Sequence, residues 1–192
     1  MDQHIPVLPP LLRHVQKFAG TYVGTDSKPH GRTYCEYGLA CFSSDDLVTI
    51  VSDGLRHVEA DVPFGEELAC TLRRSQIGHA RALIRYGCDY VTETRRGLEF
   101  GQVLDNVEEC FEDSGIVAVL ASSHPRFVSD FNYLPTFPGA ALTSENVEFQ
   151  IITLIPLTRA EVGCAVQDAD TLYDHWDIVR PDLFDITRPS TL

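Results

Sequence analysis

Apolar residues recur along the chain with two different periods. In "PPLLRHVQKFAGTYVG", Leu11, Val15, Phe18 and Tyr22 recur at i, i+4, i+7 and i+11 and predict one helical stripe. Pro10 suits the first turn of that helix. The polar run 25–31, "TDSKPHG", carries Pro and Gly punctuation and predicts a loop. Three β-like runs follow. "YCEYGLACF" is the first, and "EELACTLR" at 66–73 is the third. Between them, "DLVTIVSDG" is the strongest, because its β-branched residues stop at Asp53-Gly54, a turn signal. Residues 75–96 return to the helical period, with Ile77, Ala80, Ile84, Cys88 and Val91 on one face. Arg74, Arg81 and Arg85 lie along a neighbouring face, and Gly78 and Gly87 weaken the helix.

The second half repeats these patterns. "SGIVAVLAS" at 114–122 is a continuous apolar run of strand length, as expected for a strand buried on both faces. A Pro- and aromatic-rich connection leads to an apolar strand at 147–155. Thr158 then begins a capping-box pattern completed by Glu161. The helix that follows carries the stripe Ala165, Ala169, Leu172, Trp176 and Val179, with Asp170, Asp174 and Asp177 on another face. "RPDLFDITRPSTL" closes the chain with turn and loop residues. Strands and helices are mixed without strict alternation. The expected class is α/β (α+β), a mixed β-sheet packed by helices.

The 192-residue length is enough for a sizeable core without covalent staples. With 15 basic and 28 acidic residues, the net charge of −13 argues against nucleic acid as a partner, since phosphate binding needs Lys and Arg. Residues 97–125 hold six acids, and residues 161–179 hold five, with no Lys or Arg in either segment. Such segments are either solvated faces or a docking surface for a basic partner. Six cysteines, none spaced C-x-x-C, sit partly inside apolar runs and point to a reducing, cytoplasmic setting rather than a disulfide framework. The start "MDQHIPVLPPLLRHVQ" lacks the pattern of a signal peptide, and no run approaches a membrane span.

Phosphate-binding glycine loops, the G-x-S-x-G serine turn and H-E-x-x-H are all absent. The seven histidines show no metal-ligand spacing, and no cofactor is expected. Ser52 at a strand end, with His57 behind it, could form a nucleophile and base, although Ser52-Asp53-Gly54 is also an ordinary turn sequence. Cys70 and His79 could form a thiolate pair only if the fold joined them. Glu66 and Glu67, adjacent on a strand, point to opposite faces and cannot share one site by alternation.

"LVTIVSDGLRH" followed by "GEELACTLRR" resembles the suppressor-of-fused domain, in which a strand and a Gly-containing turn lead to a Gly-x-Glu-Leu strand ending in Arg. "GLEFGQVLDN" and the closing "VEFQIITLIPLTRAEV" are similar to it as well. The closing pattern of apolar strand, Pro, Ser or Thr, acidic helix start and late Arg corresponds to Pro156, Thr158, Glu161 and Arg188. "SDGLRH" departs from the family, which more often has an aromatic or Thr before Gly and a Ser after Leu.

The resemblance implies one suppressor-of-fused-like domain over 1–192, with an N-terminal helix and loop at 1–29 and a family-like core at 30–190. It also implies no catalysis, and in bacterial single-domain members an immunity protein that neutralises a toxin domain. The expected partner is a protein, a basic toxin domain, with neither nucleic acid nor membrane involved. The surface expected to meet it comprises Asp170, Tyr173, Asp174 and Asp177. Two alternatives stand beside this reading. One is a hydrolase using Ser52 or Cys70 with a histidine, and the other is a cytoplasmic scaffold or regulator without a toxin partner.

Overall fold

The computed structural model describes residues 8–30, 37–62, 64–105, 107, 111, 114–137, 139–143 and 145–192. Helix α1, Pro10–Ala19, buries Leu11, Leu12 and Val15 and stops at Gly20. Strand β1, Thr21–His30, follows at once. This corrects two expectations. Tyr22 belongs to a strand, and most of the run 25–31 is strand rather than loop. β1 pairs with β2, Tyr37–Ser44, through a ladder with irregular register between Tyr22 and Gly24 and between Asp26 and His30. Such irregularities let polar and Gly-containing sequence remain in a sheet.

β3, Leu47–Asp53, and β4, Gly65–Arg73, extend an antiparallel meander. Helix α2, Ile77–Thr94, then crosses one face of the sheet. Its predicted stripe points inward, with Ala80, Ile84, Cys88 and Val91 buried and Ile77 partly buried. Gly87 lets the helix approach closely, because a Cβ there would lie 2.6 Å from Leu68 Cδ1 and 2.9 Å from Leu154 Cδ1. Of the arginines beside it, Arg74 is exposed, whereas Arg81 and Arg85 are partly buried. Arg74 reaches the Asp45 carbonyl, and Arg85 lies 3.8 Å from Asp26.

β5, Val103–Asp105, pairs with β6, Ile116–Ser122. β7, Tyr133–Pro135, precedes the 12-residue strand β8, Val147–Thr158. The strand order is β1-β2-β3-β4-β8-β6-β5, with β7 also on β8. The β4–β8 ladder is parallel, and every other named strand pair is antiparallel. β8 is therefore the central strand, and both Ile151 and Ile152 are fully buried, on opposite faces. Pro156 falls beyond the β4 pairing, where β8 faces β6 on one side and Arg188 reaches the free Pro156 carbonyl on the other.

Where one helix is expected after Thr158, two form. They are α3, Arg159–Gln167, and α4, Ala169–Val179, broken at Asp168, whose extended backbone and side chain cap α4. The Thr158–Glu161 capping box forms as expected. Ala165, Leu172 and Trp176 pack on Ala118, Leu120, Ile155 and Leu157, whereas Val179 is exposed, contrary to its place in the stripe. Residue alternation along β8 puts α3 and α4 on the same face as α1, opposite α2. The mixed sheet is thus covered on both faces.

Candidate functional site

Two buried carboxylates link distant parts of the motifs. The turn after β3 is a 3-10 turn at Leu55–His57, entered through Gly54 at φ 125°, a conformation that favours glycine. The backbone N–H groups of Gly54, Leu55 and Arg56 donate to the Glu67 carboxylate at 2.9, 3.3 and 3.3 Å. Ser52 Oγ donates to it at 2.5 Å, and the Arg56 guanidinium pairs with it at 2.5 Å. Burial pushes the Glu67 carboxyl up, and these donors and the Arg56 charge pull against that rise. "SDGLRH" is therefore a carboxylate cradle whose occupant is supplied by the Gly-x-Glu-Leu strand.

Glu66, on the other face, accepts the Leu98 N–H on both oxygens at 3.2 Å. Burial pushes its carboxyl up to about 7. The two glutamates do not share a site, as strand alternation requires.

The second cage joins the closing motif. Arg188 donates from Nη1 and Nη2 to the two Glu161 oxygens, both at 2.7 Å, and from Nη2 to the Pro156 carbonyl at 3.1 Å. Glu161 also accepts from the Thr158 N–H, the Thr158 hydroxyl and Trp176 Nε1. Pro156, Thr158, Glu161 and Arg188 thus converge, with Glu161 fully buried. Of the five acids in 161–179, Glu161 is an interior group and does not contribute to a surface.

The structure separates the candidate catalytic residues. Ser52 is fully buried and bonded to Glu67, while His57 is exposed. Cys70 lies in the core, where burial raises its thiol far from the thiolate form. His79 stacks on Phe111, with ring centroids 5.7 Å apart. Among the described residues, no three of His, Cys, Asp and Glu are placed to hold a metal ion. Cys41, Cys70, Cys88 and Cys164 are in no disulfide. Cys35 and Cys110 lie outside the described residues. No helix among the described residues is long and apolar enough to cross a membrane.

The acids of α4 do lie on the surface. Asp170, Asp174 and Asp177 are exposed. Tyr173 is half-buried, its hydroxyl 2.9 Å from Ser122 Oγ and its ring edge-on to Trp176. Burial raises the Tyr173 hydroxyl against the Ser122 bond, and the nearby Asp170 charge raises it further. Tyr173, Trp176, Asp177 and Arg180 line a groove of about 310 Å³ together with Ser122, Ile155 and Phe184. Neither the groove nor the part Ser122 and Phe184 play in it is visible in the sequence. The one hint there is the single Trp among acids.

Among the described residues, the architecture is a mixed sheet with a central parallel β4–β8 ladder, one α-helix on one face and three on the other. It matches the crystal structure of a suppressor-of-fused (SUFU) homolog from Neisseria gonorrhoeae with a TM-score of 0.69 and 18% identity, covering 95% of each chain. The chain has a suppressor-of-fused-like fold. No family model matches the sequence, and no curated protein matches it.

Proposed function

We propose that this chain is a non-enzymatic protein-binding module of suppressor-of-fused type, serving as an immunity protein that holds a bacterial toxin domain inactive. The supporting observation is the fold correspondence across 95% of both chains. The dispersal of Ser52, His57, Cys70 and His79 agrees with a role outside catalysis, because no nucleophile and base meet among these four. The exposed acids of α4 suit a basic partner, and toxins that attack nucleic acids carry basic surfaces to hold phosphate.

The test is co-expression with the product of the neighbouring gene, wherever that product carries a toxin domain. Growth protection, with a 1:1 complex isolated from the cells, is the expected result. His57→Ala and His79→Ala keep full protection. Growth arrest despite a folded, abundant chain refutes the immunity role. Protection lost in either histidine variant while the complex still forms turns the assignment toward an enzyme.

A further inference from the structure

The α4 groove has a definite chemistry. Ile155, Trp176, Pro125 and Phe184 give it apolar lining, beside a comparable share of polar surface. The Ser122 and Tyr173 hydroxyls bond to each other at its edge. Three charges stand at the rim, Asp177, Arg180 and Asp182. Two of them are engaged. Asp182 pairs with Arg73 and caps the Phe184 N–H, and Arg180 folds back so that its Nε donates to the Asp177 carbonyl at 3.4 Å. The Asp177 carboxylate has no hydrogen bond or ion pair among the described residues, and Asp170 and Asp174 extend its charge along α4. Ile178, 83% exposed, and the exposed Val179 add apolar surface on the same helix.

A groove that sets apolar lining beside a free carboxylate fits a side chain that is aliphatic along its stem and cationic at its tip. Arginine suits it best, since its flat guanidinium also stacks on aromatic rings. Deepening the module reading on which it rests, we propose that this groove is the anchor pocket for an arginine-bearing segment of a basic partner protein. The stem lies over Ile155 and Trp176, and the guanidinium meets Asp177. The acids along α4 then steer the approach, while the seated side chain supplies the residence time.

Trp176 is the single tryptophan of the chain, so its emission reports on the groove without a label. The probe is the peptide acetyl-Gly-Arg-Leu-Arg-Gly-amide, titrated to millimolar concentration. One comparison peptide has citrulline in place of Arg, and another has Glu. A saturable emission change is expected with the Arg peptide, weakened at least fivefold by citrulline and absent with Glu. Asp177→Asn is expected to weaken it at least threefold, and Ser123→Phe, which plugs the mouth from an exposed position, to abolish it. Glu148→Gln, exposed at the start of β8, leaves it unchanged.

No saturable change with the Arg peptide overturns the proposal, as does tighter binding of the Glu peptide, which would make Arg180 the recognised charge. If Ser123→Phe fails to fold, wild type and Asp177→Asn decide alone. A toxin that binds wild type, Asp177→Asn and Ser123→Phe equally refutes the groove and leaves the module reading intact. A peptide response without any protein partner does the reverse.

Discussion

Replacing Arg188 by Met keeps the aliphatic stem but removes the guanidinium. Two 2.7 Å bonds to Glu161 and the bond to the Pro156 carbonyl are lost. The Glu161 carboxylate stays fully buried with only Thr158 and Trp176 as close donors. Breaking a buried pair from one side costs about 3–5 kcal/mol, because the remaining charge is left without its partner. Against a total stability of about 5–15 kcal/mol, that is a large fraction. For a chain of this length it lowers Tm by roughly 6–20 °C. The assay is guanidinium unfolding followed by Trp176 emission, which senses the cage directly, and by circular dichroism.

The acid limb shifts as well. Burial alone would raise the Glu161 carboxyl, but the Arg188 and Thr158 bonds hold it below its ordinary 4.5. Its contribution is therefore present above pH 4.5 and is lost as pH falls through the lower folded value. In Arg188→Met burial is no longer offset and raises the carboxyl, so the group ceases to lose stability on acidification and the gap to wild type narrows as pH falls. An Arg188→Met protein within about 1 kcal/mol of wild type, the range of an exposed pair, would refute the cage as a stabilising element.

Ile152→Ala and Ile151→Ala each cost about 2–5 kcal/mol in the same melt, and no loss in either variant would remove β8 from the centre of the sheet. Gly87→Ala sets an overpacking cost of about 1–3 kcal/mol, where its Cβ meets Leu68 and Leu154, against a helix-propensity gain of about 1 kcal/mol; a net gain of that full size would mean that α2 can move away without penalty. His124, buried against Phe127 and bonded to Thr71, has its pKa lowered by burial to about 3. Since the unfolded chain takes up this proton first, the His124 contribution is complete above pH 6.5 and falls by about 1.4 kcal/mol per pH unit below it. His124→Asn removes that slope, and identical pH profiles would refute it. The triple variant Asp170→Asn, Asp174→Asn, Asp177→Asn slows association with a basic partner at low salt and flattens the salt dependence; unchanged rates would mean the face is only solvated.

The central strands, α2 and the capping box were legible because local period and local chemistry agree there. Ile77 to Val91 keep a helical step, and Thr158 lies three residues from Glu161. β1 was hidden because Gly24, Asp26, Ser27 and Pro29 are turn formers, and pairing with β2 makes that stretch extended. The division of the last helix at Asp168 was missed because the apolar stripe passes through it without interruption, while the side chain that caps α4 is polar and local. Glu161 was counted with the surface acids because its burial depends on Arg188, 27 residues later. The order Pro156, Thr158, Glu161, Arg188 was visible in the sequence, but that these four residues touch was not. The groove was invisible for the same reason, since Ser122, Ile155, Tyr173 and Phe184 come from four separate segments.

The parallel β4–β8 ladder has a consequence for synthesis on the ribosome. β4 is complete at Arg73, but its partner begins only at Val147. At about 5–20 residues per second, making residues 74–146 takes roughly 4–15 s, so the nascent meander waits with one edge unpaired. Glu67 on that strand already has its Ser52–Arg56 cradle, but Glu66 lacks its Leu98 partner until later, and two copies brought together there would oppose like charges. The carboxylate at Glu66, enclosed in the finished protein, thus discourages pairing of the unfinished one until the chain beyond it emerges.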